Sequence, residues 1–289
     1  MPRQIPLTEP KNLHLGRRAS HSWDEHVEQC AQVAEAKVGA ANSTADRAID
    51  ILLIFSVERP VWSAIEIAAR FDMPRSTTYR YINSLRAYAL IVEDESGGYR
   101  LGPKIFPLAR VAKAGTSILK IAAPHLAELN GKFSEAVTLY ERVGHEAIPL
   151  DMLESRHRVR ITYTRGQLLP WPATASGKVL LAHAPQEDQG AIFRLLVPVR
   201  YTEKTIKTRK ALRTVLDKIR RDVYAYSDQE REQGVRAIAA PIFSRGDGRY
   251  CVTMSGPSFR LTDEKLSAMI AAVRTTALKI SEDLQTTEY

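Results

Sequence analysis

From Ser43 onward the chain sets its apolar residues at helical spacing. "STADRAIDILLIFSV" opens on capping residues and then puts Ala48, Ile51, Leu52 and Phe55 on one face. "RPV" breaks that helix, and Ser63 is positioned to cap a short second one with Ala64, Ile67, Ala68 and Phe71 inward. Pro74 in "DMPR" is tolerated because a third helix is only beginning there. In that third helix Thr78, Ile82, Leu85 and Ala89 form the predicted buried stripe. Two short strands, 90–93 and 98–101, are expected around a turn containing Gly97 and Gly98. Three helices followed by a small hairpin is the order of a winged helix-turn-helix. With the stripe in the core, the other face of the third helix carries Arg75, Ser76, Thr77, Tyr79, Arg80 and Asn83. Forked arginine donors suit guanine edges, while hydroxyls and asparagine suit phosphate or adenine, so this face has the chemistry of a recognition helix for double-stranded DNA. The same helical pattern also occurs in protein-binding domains, so periodicity alone leaves both uses open.

The pattern then changes. "PKIFPLARVAKAG" predicts a linker helix over 103–115 with Ile105, Leu108 and Ala112 as a pairing stripe, and the following helix runs to about Lys132. "AVTLYERV" and "EAIPLDML" read as strands turning at Gly144, and "RVRITYT" alternates like a third. "LLPWPATASGKVLLAHA" is a Pro/Trp loop entering a helix, and "KALRTVLDKIRRDV" is a basic helix. "VRAIAAPIF" and "YCVTMSGP" are strands around "RGDGR", and "DEKLSAMIAAVRTTALKISEDL" closes the chain as a helix. Helices alternating with mainly antiparallel strands predict an α+β domain over 116–289, after a winged helix-turn-helix at 44–102. Residues 1–43, polar and carrying Pro2, Pro6 and Pro10, are expected to be a disordered arm followed by a frayed helix.

Composition narrows the function classes. The 289 residues suffice for about two domains. The longest apolar runs, such as "IDILLIF", fall far short of the roughly 20 residues of a membrane helix, and no leader pattern opens the chain. Two distant cysteines, Cys30 and Cys251, exclude a disulfide scaffold and a cysteine-rich zinc site and suit a reducing cytoplasm. The net charge of +8 is compatible with a nucleic-acid partner. The densest basic run, Arg200 to Arg221, reads more simply as the solvated face of a surface helix.

Catalytic motifs are weak. "SGK" at 176–178 lacks the earlier glycine and the following Ser/Thr of a phosphate-binding loop. Seven histidines show no HExxH or ligand spacing, and GxSxG is absent, so no metal, cofactor or catalytic residue is expected. "SDQERE" at 227–232 is read as a charged loop before a strand, and Lys178 as pointing to solvent. Ser176 and Gly177 at a helix start offer amide donors to a carboxylate, although Ser176 could equally serve only as a cap.

The stretch from "ADRAIDILLIF" to "GPKIFPLA" resembles the N-terminal domain of IclR-type transcriptional regulators. That family's first-helix arginine matches Arg47, its P-x-S-T-x-x-R matches Pro74 to Arg80, and its wing Y-R-L-G matches Tyr99 to Gly102. The similarity continues through "ATASGKVLLA", "QGVRAIAAPIF" and "TMSGP", covering roughly residues 44–285. It implies a GAF-like effector domain; because one recognition helix covers only a few base pairs, a homodimer or homotetramer on DNA is expected. The candidate DNA-contacting set becomes Arg47, Ser63, Arg75, Ser76, Thr77, Tyr79, Arg80, Asn83, Tyr99 and Arg100. The effector contacts implied by the resemblance are Ala175, Ser176, Ser227 or Asp228, Val235, Ala237, Thr253 and Ser255. Ala237 stands where some members have cysteine. Trp171 either lies at the pocket mouth, favouring a larger or aromatic acid, or simply packs. The function so implied is transcription regulation under control of a small organic acid. The alternative from another class is a metabolite-binding enzyme or sensor with a helical N-terminus that does not bind DNA.

Overall fold

The computed structural model describes residues 44–56, 59–114, 117–144, 146–161, 171–195, 199–244 and 246–287. The expectation for residues 1–43 lies outside them. Helix α1 (Thr44–Leu53), α2 (Ala64–Arg70) and α3 (Arg75–Ala87) precede a two-stranded antiparallel hairpin, β1 (Ile91–Glu93) and β2 (Tyr99–Leu101). Ile51, Ile67, Ile82 and Ile91 are fully buried together, each contributing about 1.5–3 kcal/mol of burial. Ser63 caps α2 in a reciprocal box with Glu66, satisfying donors at both positions. The buried stripe of α3 is Thr78, Tyr81, Ile82 and Leu85. Ala89 does not belong to it: the helix ends at Ala87, and Ala89 turns the chain with φ of 53°. A turn there lets Gly102 N donate to Leu90 O and tie the hairpin back to the helix end.

Helices α4 (Ile105–Ala114) and α5 (Ser117–Phe133) lead to a five-stranded antiparallel sheet. Its strands are β3 (Ala136–Val143), β4 (Glu146–Leu153), β5 (Ala225–Asp228), β6 (Val235–Ser244) and β7 (Asp247–Pro257), in the order β4-β3-β7-β6-β5. Helices α6 (Ala175–Ala182), α7 (Gln186–Leu195) and α8 (Arg209–Asp222) separate β4 from β5, and α9 (Asp263–Thr287) follows β7. The chain is thus a helical winged unit followed by an α+β unit, as its sequence predicts. Residues 158–161 of "RVRITYT" are not in a strand, and the rest of that run lies outside the described residues.

Side chains alternate across a strand, and this alternation divides the sheet cleanly. Val137, Leu139, Ile238, Ile242, Val252 and Met254 face one side, where Leu126 and Leu129 of α5 and Val273 and Ile280 of α9 cover them. Tyr140, Ala225, Ala239 and Cys251 face the other, against Val179 and Leu180 of α6 and Leu212, Leu216 and Ile219 of α8. The second face matters for function because its residues become small and hydroxylated toward one end.

Candidate functional site

Pairing register assembles the floor of a pocket on that second face. Ser227 lies opposite Ala237, which lies opposite Ser255, and the next row is Ala239 and Thr253. These side chains are too short to fill the space beneath α6. A small cavity results, open to solvent at its mouth. It is lined on the sheet by Tyr140, Ser227, Val235, Ala237, Thr253 and Ser255. Ala173, Thr174, Ala175 and Ser176 form the roof, and Arg231 and Glu232 come from the turn between β5 and β6.

The roof is a 3-10 turn, Trp171–Ala173, running into α6. Thr174, rather than Ser176, is the cap: its hydroxyl accepts from Gly177 N at 3.1 Å. The Gly177 amide is therefore committed within the protein, which corrects the expectation that it serves an anion. The Ala175 and Ser176 amides find no acceptor among the described residues, and they sit at the positive end of the helix dipole. Gly177 is needed for another reason. A β-carbon there would lie 2.1 Å from Trp171 O, so only glycine lets the turn seat against the helix. Trp171 itself is buried in the α6–α8 core and is not part of the lining. Tyr140 is the aromatic residue that the pocket presents, and the strand sequence alone gave no sign of it.

Seven of the eight effector-contact candidates line one cavity: Ala175, Ser176, Ser227, Val235, Ala237, Thr253 and Ser255. Ser255 is buried, yet its hydroxyl makes no hydrogen bond with a described residue. Asp228 is the exception. It follows Ser227 on the strand and so faces the opposite side of the sheet, where it accepts from Lys204 at 2.5 Å and Arg236 at 2.8 Å. Burial works against that carboxylate, but these hydrogen bonds outweigh it and bring its pKa down to about 2.

Lys178 also departs from expectation. It is 1% exposed, ion-paired with Glu230 and donating to Tyr226 O at 2.9 Å. Burial lowers the lysine pKa and raises that of Glu230, while each charge opposes the shift of the other. The pair ties α6 to the turn that bears Arg231 and Glu232. That turn is also pinned from outside, by Thr202 Oγ1 to Gln229 O at 2.7 Å and Thr205 Oγ1 to Glu230 O at 2.6 Å. Cys251, beneath the roof, has its thiol pushed up to about 12 by burial and is inert as a nucleophile at neutral pH.

In the winged unit, Arg75, Ser76, Tyr79, Arg80 and Asn83 are exposed on α3 and Thr77 is half-buried. Neither Arg75 nor Arg80 is in an ion pair with a described residue, which leaves both guanidinium groups available to an anionic partner. Arg100 is exposed on β2 and 3.7 Å from Asp94, and Arg47 lies 3.9 Å from Asp50. Two candidates are placed otherwise. Tyr99 is a core residue whose backbone bridges to Trp62, and the Ser63 hydroxyl is engaged in its capping box. Burial occupies the first and capping the second. No helix among the described residues is long and apolar enough to cross a membrane.

Comparison with known proteins matches this arrangement at both ends of the chain. The IclR helix-turn-helix domain matches residues 44–95, and the bacterial transcriptional regulator IclR C-terminal domain matches 112–282. The HTH-type transcriptional regulator KdgR of Escherichia coli K12 is 30% identical over 241 residues, covering 83% of this chain and 91% of KdgR. The regulator BhcR of Paracoccus denitrificans is 32% identical over 238 residues, covering 82% and 85% of the two chains. A crystal structure of an IclR homologue from Microbacterium hydrocarbonoxydans, complexed with 4-hydroxybenzoate, aligns with a TM-score of 0.70 at 25% identity, covering 84% of this chain and 100% of that one. These relatives are regulators rather than enzymes, and the chain belongs to the IclR family of bacterial transcriptional regulators, with a helix-turn-helix domain followed by an effector-binding domain.

Proposed function

We propose that the protein is a one-component regulator of the cytoplasm that binds operator DNA through α3 and the hairpin, and whose affinity is set by a small organic acid held under α6. One observation carries the effector reading: at a helix start, amides without acceptors among the described residues face a pocket that also presents the Ser255 hydroxyl, which has no hydrogen-bond partner among them. The acid's carboxylate takes the Ala175 and Ser176 amides, with Ser176, Thr253 and Ser255 hydroxyls beside it, and Ala237 and Val235 supply apolar wall. The 4-hydroxybenzoate complex of the Microbacterium homologue supports an organic acid as the class. Tyr140 gives this pocket an aromatic wall compatible with a ring.

For DNA, Arg75, Ser76, Thr77, Tyr79, Arg80 and Asn83 on α3 are the contacts, with Arg47 and Arg100 at the flanks. The working form is a homodimer or homotetramer. Phe106, Leu108 and Val111 of α4 are 78%, 51% and 71% exposed, an apolar face that a second copy would cover. A single recognition helix reads only a few base pairs, so paired half-sites supply the specificity. The test is binding to the DNA upstream of the protein's own gene at matched salt. Arg80→Ala is expected to weaken specific binding by about 1–3 kcal/mol without loss of folding, because Arg80 lies off the buried stripe. Wild-type affinity in both Arg75→Ala and Arg80→Ala would reject α3 as the reading helix. Sedimentation as a monomer at micromolar concentration would reject the pairing.

A further inference from the structure

Helix α8 carries a larger net positive charge than the helix proposed to read DNA. It has six basic residues against two acids over 14 residues, where α3 has three arginines and no acid over 13. Leu212, Leu216 and Ile219 bury one side of α8. The helical period puts Lys210, Arg213, Lys218 and Arg221 away from that stripe, and all four are exposed.

The neighbouring cations have acids to pair with. Arg200 and Lys207 meet Glu203, Lys204 meets Asp228, and Arg220 meets Asp217. Among the described residues, none of the four is in an ion pair. Arg213 lies over the Phe193 ring, 5.4 Å from its centroid, which holds the guanidinium without neutralising it. A solvated helix face commonly alternates the two signs. Here Lys210 and Arg213, and Lys218 and Arg221, set like charges at i, i+3, a spacing that opposes the helix. Lys210 also stands in a first turn that holds no acid, at the positive end of the dipole. Both effects work against folding, and an external anion along this face would relieve both.

Resting on the proposed reading of DNA by α3, we propose that this face of α8 is a second DNA surface, one that holds the phosphates flanking the operator without regard to sequence. From Lys210 to Arg221 the stripe runs about 16 Å along the helix. A duplex carries a negative charge every ~1.7 Å of its axis, so a stripe of that length faces several phosphates at once. Contacts of this kind add affinity and fix position, while base edges are left to α3. Arg220 Nε donates to Ala182 O at 2.8 Å, so the surface is joined to the helix that roofs the pocket.

The test is fluorescence anisotropy of the full-length protein on two labelled duplexes at several salt concentrations. One is the shortest segment upstream of the protein's own gene that still binds specifically. The other is that segment extended at each end by about 20 base pairs of unrelated sequence, two helical turns. The wild type is expected to bind the extended duplex about tenfold tighter or more at low salt. Its log–log salt slope should be steeper there by about 2–4, since each neutralised phosphate adds ~0.9. Lys210→Gln/Arg213→Gln/Lys218→Gln/Arg221→Gln is expected to abolish both differences and to bind the short duplex within about threefold of wild type. The same charge removed from the exposed Lys120, Lys132, Lys265 and Arg274 of α5 and α9 should leave the differences in place.

Equal affinity and slope on the two duplexes in the wild type, or differences that survive in the α8 variant, would overturn the inference and leave α3 as the reading helix. An equal loss in the α5 and α9 variant would overturn it as a general effect of net charge. Failure of the wild type to bind either duplex would reject the reading by α3 and this inference with it. An α8 variant that sediments as a smaller species than the wild type would assign the face to contact between copies of the chain instead of DNA.

Discussion

Replacing Lys178 with methionine removes the cation from a pair that the fold has closed off from water. Lys178 is 1% exposed and Glu230 9%. The second oxygen of Glu230, Oε2, is already buried without a hydrogen-bond partner among the described residues. Breaking a buried pair from one side typically destabilises by about 3–5 kcal/mol, because the remaining charge is stranded. Burial already raises the Glu230 pKa, so protonation relieves part of the strain and the expected loss is near the low end, about 3 kcal/mol. The double variant Lys178→Met/Glu230→Met strands neither charge and should come within about 1 kcal/mol of wild type. Urea unfolding of the full-length protein at neutral pH, run as a double-mutant cycle, measures both numbers. In the single variant the sign with pH is fixed as well. A carboxyl whose folded pKa is raised binds its proton more tightly in the native state, so the deficit must shrink as pH falls into the acid range. A loss under about 0.5 kcal/mol in Lys178→Met, the value for an ordinary surface site, would refute the buried pair.

Two further perturbations probe the scaffold of the site. Gly177→Ala puts a β-carbon against three backbone atoms of Trp171, the nearest at 2.1 Å, so the turn must shift; a loss of at least about 1–3 kcal/mol is expected in thermal melts, and an unchanged melt would show that the turn is not seated there. Asp228, with its pKa lowered to about 2, contributes stability that is fully present above its ordinary pKa of 3.8 and is lost as pH falls through 2. Asp228→Asn should remove about 1 kcal/mol at neutral pH, after allowance for solvent screening of a partly exposed group, and nothing below pH 2; an equal loss at both pH values would contradict the ion pairs with Lys204 and Arg236.

The helical unit was legible because its signal is local. Capping at Ser63, the break at Pro60 and the stripe of Thr78, Ile82 and Leu85 are all written within a few turns of one another. The stripe failed only at Ala89, where periodicity continued past the point at which the backbone turned. The pocket was legible in composition but not in direction. "Ser227 or Asp228" could not be decided from the sequence, since neighbours on a strand face opposite ways and only the pairing of Ser227 with Ala237 fixes which looks inward. Tyr140 was missed for the same reason: its place in the lining depends on register with a strand far along the chain, where it pairs with Cys251. Lys178 was misread because its partner lies 52 residues away, and nothing in "ASGKVLLA" announces a buried acid.

The central claim is that an acid bound under α6 changes affinity for DNA. It is tested most directly by fluorescence anisotropy on labelled operator DNA at fixed salt, titrating a bound acid into the wild type and into Ser255→Leu. A ligand can shift the equilibrium only if it binds the DNA-competent and DNA-incompetent forms unequally. The account predicts that the acid changes the wild-type DNA affinity by about fivefold or more, the lower range of allosteric coupling, and leaves Ser255→Leu unchanged while that variant still binds DNA. The same shift in both proteins would contradict it.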